Sequence, residues 1–385
     1  MLRMRKKQIV INMELFDSIG NYRGDCLKLA RQAKGVTGEE LATALGVTRQ
    51  FINKLERGYP PSSQMLTALA DYLDVKESFF FTGRKSPLDS ENCHFRSKRS
   101  RTQSLTNSIL ARAEILEQFV KCLETEIVLP ELNFPDTSGL PLNSDEDIER
   151  IAEACRRYWG LGLGPISSMV NFVESIGVVV AHVSGVDDRI DAFTINSKRP
   201  LIIRNSAKKS VCRFRSDLGH ELGHLVLHEG IITGDKITEH HADYFSSAFL
   251  VPRVSFVNEF PKMRGSHLDW NALINFKERW KISLRMCIYR ATVLGLITPQ
   301  QMRTGFIHLN KRGTIKGEMG DELIPEEKPR LLSCAVELLD ISSWKQILDM
   351  SGVRERFVSK MFGIRRTHDD ISSNIVPLYR YKDFG

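Results

Sequence analysis

No stretch of this 385-residue chain is apolar for long enough to cross a bilayer. A spanning helix needs about 18 to 20 consecutive apolar residues, and the longest runs here are short and strand-like, such as Val178 to Ala181. No membrane partner is expected. The basic segment Met1 to Lys7 lacks the apolar core of a secretory signal, so the cytosol is the expected compartment. The seven cysteines (Cys26, Cys93, Cys122, Cys155, Cys212, Cys287, Cys334) are odd in number and never closely paired. That pattern argues against a disulfide framework and for free thiols in a reducing compartment. There is no repeat at a solenoid period and no low-complexity tract. Nor is the charge extreme: a net +7 is compatible with nucleic-acid contact without establishing it. With 42% hydrophobic and 26% charged residues, the chain reads as an ordinary globular protein of two or three domains.

Histidine, by contrast, is concentrated. Five of the ten (His220, His224, His228, His240, His241) fall within 22 residues. The first two frame His220-Glu221-Leu222-Gly223-His224, and apolar Phe214, Leu218, Leu222 and Leu225 recur at helical spacing through that run. Histidines four apart leave the same helical face, so both imidazoles reach one ion while Glu221 leans over its open position. An amphipathic surface helix is the bland alternative, and the crowding of histidines favours a metal, with zinc as the expected ion.

A catalytic zinc takes three side chains and leaves one place to water. His228 is a poor third ligand, because eight residues of straight helix put it about 12 Å from His220. It is expected to line the pocket or to pack. Glu239 opens a second apolar helical stretch, Tyr244 to Val251 before Pro252, and is the expected ligand, with His241 as its rival. Asp243, one turn beyond Glu239, can accept the free ring N–H of a ligand histidine and fix its tautomer. Zinc would lower the pKa of its water towards ~7 and polarise a carbonyl, with Glu221 moving the proton to a leaving amine. Peptide hydrolysis is the reaction these parts suit.

Residues 23–81 read as short helices. Thr37 and Glu40 form a capping box at the head of a helix running to Leu45. Gly46-Val47-Thr48 makes a turn, and a second helix from Arg49 to Arg57 buries Ile52 and Leu55 before Gly58. Helix, glycine turn, helix is the signature of a unit whose second helix enters the major groove of double-stranded DNA. Arg49, Gln50 and Asn53 are then placed for base edges, and Lys54 and Arg57 for phosphates. The unit is close to neutral, with eight Lys/Arg against seven Asp/Glu over residues 23–81.

The chain divides into a helix-turn-helix domain (1–82), a basic arm and bridging helix (83–140), a zincin-like metalloprotease domain (141–300) and a C-terminal region (301–385). The arm carries Arg96, Lys98, Arg99 and Arg101, and the bridging helix runs from Leu105 through Ile127 to Pro130. Helices are expected at 145–159, 165–176, 270–280, 283–294, 329–340 and 342–350. Strands are expected at Gly177–Val183, Ile190–Ile195, Leu201–Arg204 and Phe306–Leu309, with a turn at Lys311-Arg312-Gly313. The fold class is α+β and predominantly helical: an N-terminal all-α domain, a protease domain with a small β-sheet, and a C-terminal α/β tail.

Taken together the motifs resemble the ImmA/IrrE metallopeptidases in the form that carries an N-terminal Cro/repressor-type (XRE) helix-turn-helix. The resemblance rests on Thr37 to Ala42, Leu45 to Gln50 and Leu55 to Gly58, and on Asp191 to Phe193, Arg213-Phe214, Asp217 to His228 and Glu239 to Pro252. Gly38 and His241 depart from the usual glutamine and the usual acidic or amide residue. The resemblance implies zinc on His220, His224 and Glu239 with Glu221 as base. It also implies a protein substrate, a helix-turn-helix repressor cut to relieve repression in a stress or mobile-element response. Double-stranded DNA is a second expected partner, and a homodimer a candidate assembly. The competing reading is a DNA-binding regulator whose protease-like domain senses or dimerises without turnover. A further expectation concerns Cys93, whose thiolate could occupy the fourth zinc position as a latch, against the plainer reading of a free linker cysteine.

Overall fold

The computed structural model describes residues 22–366, apart from 83, 85–86, 89–92, 98–101, 184–189, 196, 206–209, 232, 264–266 and 312–317, together with 379–380. Lys98, Arg99 and Arg101 of the basic arm, Met1 to Lys7, and Arg312-Gly313 lie outside these residues.

Local capping sets the N-terminal unit. Helix α1 (Gly24–Lys34) ends on Gly35 at φ 80°. In α2 (Gly38–Ala44) the Thr37 hydroxyl accepts from the Glu40 N–H and the Glu40 carboxylate from the Thr37 N–H, closing the box expected from sequence. Gly46 turns the chain at φ 67°, and Thr48 caps α3 (Arg49–Glu56). With α4 (Ser63–Leu73) and a single 3-10 turn at Glu77–Phe80, these helices bury Leu27, Leu41, Ile52, Leu55, Leu69 and Phe80.

Helix α5 (Gln103–Leu123) packs along α1, where buried Arg112 donates to the Ala33 carbonyl. It stops short of Ile127. Ile127 and Val128 form β2, paired antiparallel with β6 (Tyr379–Arg380), because a β-branched pair ahead of a proline loses little in a strand and finds a backbone partner there.

A four-stranded sheet divides the molecule. Its strands are β1 (Cys93–Ser97), β3 (Val179–Val183), β4 (Ile190–Ile195) and β5 (Leu201–Asn205), in the order β1-β4-β5-β3. Strands β3 and β5 run parallel and the other pairs antiparallel. The arm therefore contains more than a linker: Cys93–Ser97 pairs with β4, whose backbone groups would otherwise form an open edge. Alternation sends Val179, Ala181, Val183, Leu201 and Ile203 into one core, and Val178, Val180 and Ile202 into another.

The first core holds the N-terminal helices, α5 and three late helices: α14 (Leu331–Glu337), α15 (Ile341–Ser351) and α16 (Glu355–Phe362). The second gathers α6 (Asp145–Tyr158), α7 (Met169–Ser175), α8 (Val211–Leu227), α9 (Lys236–Leu250), α10 (Arg253–Glu259), α11 (Trp270–Trp280), α12 (Leu284–Val293) and α13 (Pro299–Lys311). Phe306–Leu309, expected as a strand, lies inside α13, where Met302, Phe306 and Leu309 recur at helical spacing and pack on that core. Buried ion pairs tie the following segment back: Lys277 to Glu318 and Asp321, and Arg215 to Glu327. No helix among the described residues is long and apolar enough to cross a membrane.

Candidate metal centre

Helices α8 and α9 meet closely where α8 carries glycine. A Cβ at Gly219 would lie 2.6 Å from Ser246 Oγ, and one at Gly223 would lie 3.1 Å from the Phe245 ring and 3.2 Å from Ala242 Cα. Asp235 caps α9 by accepting from the Ile237 and Thr238 N–H groups, so the helix begins before the apolar stretch that marks it in sequence. Glu239 consequently sits in its first turn, facing α8.

This packing brings three donors together. His220 Nε2 and His224 Nε2 are 3.0 Å apart. Glu239 Oε2 is 3.6 Å from His220 Nε2, and Glu239 Oε1 is 3.4 Å from His224 Nε2. Two ligands held about 2.0–2.1 Å from zinc at tetrahedral angles stand about 3.3 Å apart, so the donor set fits one such ion. His220, His224 and Glu239 are the one group among the described residues whose histidine, cysteine and acidic side chains could hold a metal. Burial pushes the Glu239 carboxyl up, but its hydrogen bond with His224 and the charges of both histidines outweigh this and hold it below its ordinary value.

Each histidine is held through its other nitrogen. His220 Nδ1 lies 2.8 Å from Asp243 Oδ1, the contact expected of Asp243. His224 Nδ1 lies 3.1 Å from His228 Nδ1. His228 is the C-cap of α8 at φ −127°, so it leaves the helical path and turns back towards His224. Its Nε2 is 3.3 Å from His241 Nδ1 and the two rings stack. His241 thus stands behind the donor group, outside it.

Glu221 is fully buried. Its Oε2 accepts a 2.5 Å hydrogen bond from the Thr194 hydroxyl of β4, and its Oε1 has no partner among the described residues. Thr194 escaped sequence reasoning; the available signal was a lone hydroxyl at the end of an apolar strand. Cys93 pairs in register with Ile195, which packs in the other core. From Asp243 a groove of about 660 Å3 extends past Asp217 and Arg213 towards the start of α8, with Tyr289 and Phe306 on its far wall. On α3, Arg49, Gln50, Asn53, Lys54 and Arg57 are all exposed, opposite buried Ile52 and Leu55.

A family model for the helix-turn-helix matches residues 27–80, and one for the IrrE N-terminal-like domain matches residues 173–292. The second span contains Thr194, His220, Glu221, His224, Glu239 and Asp243. None of the curated proteins matches the chain. The protein thus joins an XRE-type helix-turn-helix to an IrrE N-terminal-like domain.

Proposed function

We propose that this protein is a zinc-dependent endopeptidase of the cytosol that cleaves a helix-turn-helix repressor, relieving repression in a stress or mobile-element response. Its own N-terminal unit contacts double-stranded DNA through α3. The observation that carries the reading is the convergence of His220 Nε2, His224 Nε2 and Glu239 beside buried Glu221. A zinc ion on those three residues would supply Lewis acidity at a scissile carbonyl. Glu221 is the base: with Oε2 held by Thr194, its Oε1 is left to take a proton from the attacking water and return it to the leaving nitrogen. Asp243 and His228 keep the two histidines oriented with Nε2 towards the ion. The groove beyond Asp243 receives the substrate chain, its aromatic wall giving apolar contact and Arg213 and Asp217 polar contact.

The repressor as substrate is supported by a DNA-binding unit and a peptidase domain in one chain, which would bring the cutting site to the place where a repressor sits. Glu221→Gln tests the whole reading. Zinc stoichiometry is expected to stay unchanged while cleavage falls on the order of 10²–10⁴-fold and derepression is lost. Derepression that persists unchanged would instead favour a regulator whose peptidase fold is a scaffold.

A further inference from the structure

The metal centre and α3 leave the last helices of the first core without a role. Gly352-Val353-Arg354-Glu355-Arg356-Phe357-Val358-Ser359-Lys360-Met361 aligns without gaps on Gly46-Val47-Thr48-Arg49-Gln50-Phe51-Ile52-Asn53-Lys54-Leu55. Glycine, valine, phenylalanine and lysine are identical, and Ile/Val, Asn/Ser and Leu/Met exchange like for like. The backbone repeats with the sequence. Both glycines stand at φ 67°, in the left-handed region. The Gly46 N–H donates to the Thr43 carbonyl and the Gly352 N–H to the Asp349 carbonyl, three residues back in each case. Phe51 and Ile52 donate to the Thr48 carbonyl at 3.0 and 3.2 Å, and Phe357 and Val358 to the Arg354 carbonyl at 2.9 and 3.2 Å. Helices of eight residues follow both turns. The preceding helices bury Leu41 and Ile347 at matching positions, and the following ones Ile52 and Val358.

We propose that α15 and α16 form a second helix-turn-helix that contacts double-stranded DNA, with α16 in the role of α3. Its exposed positions Glu355, Arg356 and Lys360 correspond to Arg49, Gln50 and Lys54. Across residues 341–366 six basic side chains (Lys345, Arg354, Arg356, Lys360, Arg365, Arg366) stand against Asp349 and Glu355. The C-terminal unit is therefore the more basic of the two and suits a phosphate backbone. Glu355 occupies the place of Arg49, so α16 is built to hold phosphates rather than to read guanine. Within the protein, Arg356 and Lys360 share one carboxylate, Asp74, at 3.7 and 4.0 Å, with their own side chains 68% and 53% exposed. Such long, solvated pairs hold little energy and leave the charge to a polyanion.

The two units are joined rigidly. Val75 and Val353 form a β-bridge, the Lys76 N–H donates to the Gly352 carbonyl at 2.8 Å, and a Cβ on Gly352 would meet Phe79 Cα at 2.9 Å. Two linked contacts bind a long duplex more tightly than either alone where both reach it at once.

The test uses the full-length protein and a mixed-sequence duplex several helical turns long, titrated over a range of salt. Arg356→Gln/Lys360→Gln is compared with wild type and with Arg49→Gln/Lys54→Gln, the thermal midpoint confirming that each variant folds. The C-terminal variant is expected to bind more weakly, with its slope of log K against log salt shallower by about 2, roughly one per lost phosphate contact. A C-terminal variant with wild-type affinity and slope overturns the second unit, whatever the N-terminal variant does. Failure of the wild type to bind any duplex overturns it as well, and leaves the peptidase reading standing on its own test.

Discussion

Thr194 reaches Glu221 from a strand with which the His220–His224 motif has no sequence relation, and its 2.5 Å hydrogen bond leaves Oε1 as the carboxylate oxygen without a partner among the described residues. Replacing it with valine keeps the volume and removes the donor. Thr194→Val is expected to lower peptide cleavage by about tenfold, equivalent to about 1.4 kcal/mol, with zinc content unchanged and Thr194→Ser restoring the rate. A variant that loses zinc instead would assign Thr194 to scaffolding. Asp243 touches His220 instead: removing its charge in Asp243→Asn should weaken zinc binding by about 10- to 100-fold in chelator competition. These residues also show where sequence reading stops. His220, Glu221 and His224 are legible because one helical turn fixes their geometry, and Glu239 and Asp243 because they share a face of the next helix. Thr194 and the return of His228 towards His224 depend on tertiary packing and on a helix that ends at its C-cap, which no spacing rule encodes.

At the level of elements, the distance between α8 and α9 is set by Gly219 and Gly223. Gly223→Val would drive two methyl groups against Phe245 and Ala242, separating Glu239 from the histidines; zinc should be lost before helicity is, as elemental analysis beside circular dichroism would show. Two titrating groups, buried Glu174 and half-buried His182, give a second handle. Desolvation raises Glu174 on α7 from 4.5 to about 7, against the pull of the Leu331 and Arg330 N–H groups, and lowers His182 on β3 from 6.5 to about 4, with Arg204 adding to it. Between 4.5 and about 7 the folded chain keeps a proton on Glu174 that the unfolded chain releases, so stability falls as pH rises. Between 6.5 and about 4 the unfolded chain binds a proton that folded His182 refuses, so stability falls as pH drops. The windows nearly coincide and the effects oppose. Glu174→Gln should therefore unmask a urea midpoint that falls on acidification, and His182→Gln one that falls on going alkaline. Variants that leave the wild-type profile unchanged would refute both assignments. Caps and turns made most helices readable, whereas β1 was hidden because a polar arm becomes a strand only when an open edge awaits it.

The whole molecule is organised by a sheet whose two faces belong to different cores. Val179, Ala181 and Val183 lie in the core shared with the N-terminal and C-terminal helices, while Val178 and Val180 lie in the core of the helices that carry the candidate metal ligands. Apolar periodicity in the sequence shows that these residues are buried, but a run of valines does not say which partner each one meets. The packing of residues 331–364 against the N-terminal unit was for that reason not legible. A shared sheet makes each core a support for the other, so the chain should unfold as one body. Zinc that binds only the native state stabilises by about 2.7 kcal/mol at a hundredfold excess over its Kd. If the cores are coupled, that increment will appear not only in the amides of α8 and α9 but also in those of α1 and α3, on the far side of the sheet. Native-state hydrogen exchange in low urea, with and without zinc, measures both sets at once. Equal gains on both sides would establish that metal occupancy is felt at the DNA-binding helices. A gain confined to α8 and α9 would mean that the N-terminal unit opens by itself, and that peptidase and DNA contacts are linked by covalent connection alone.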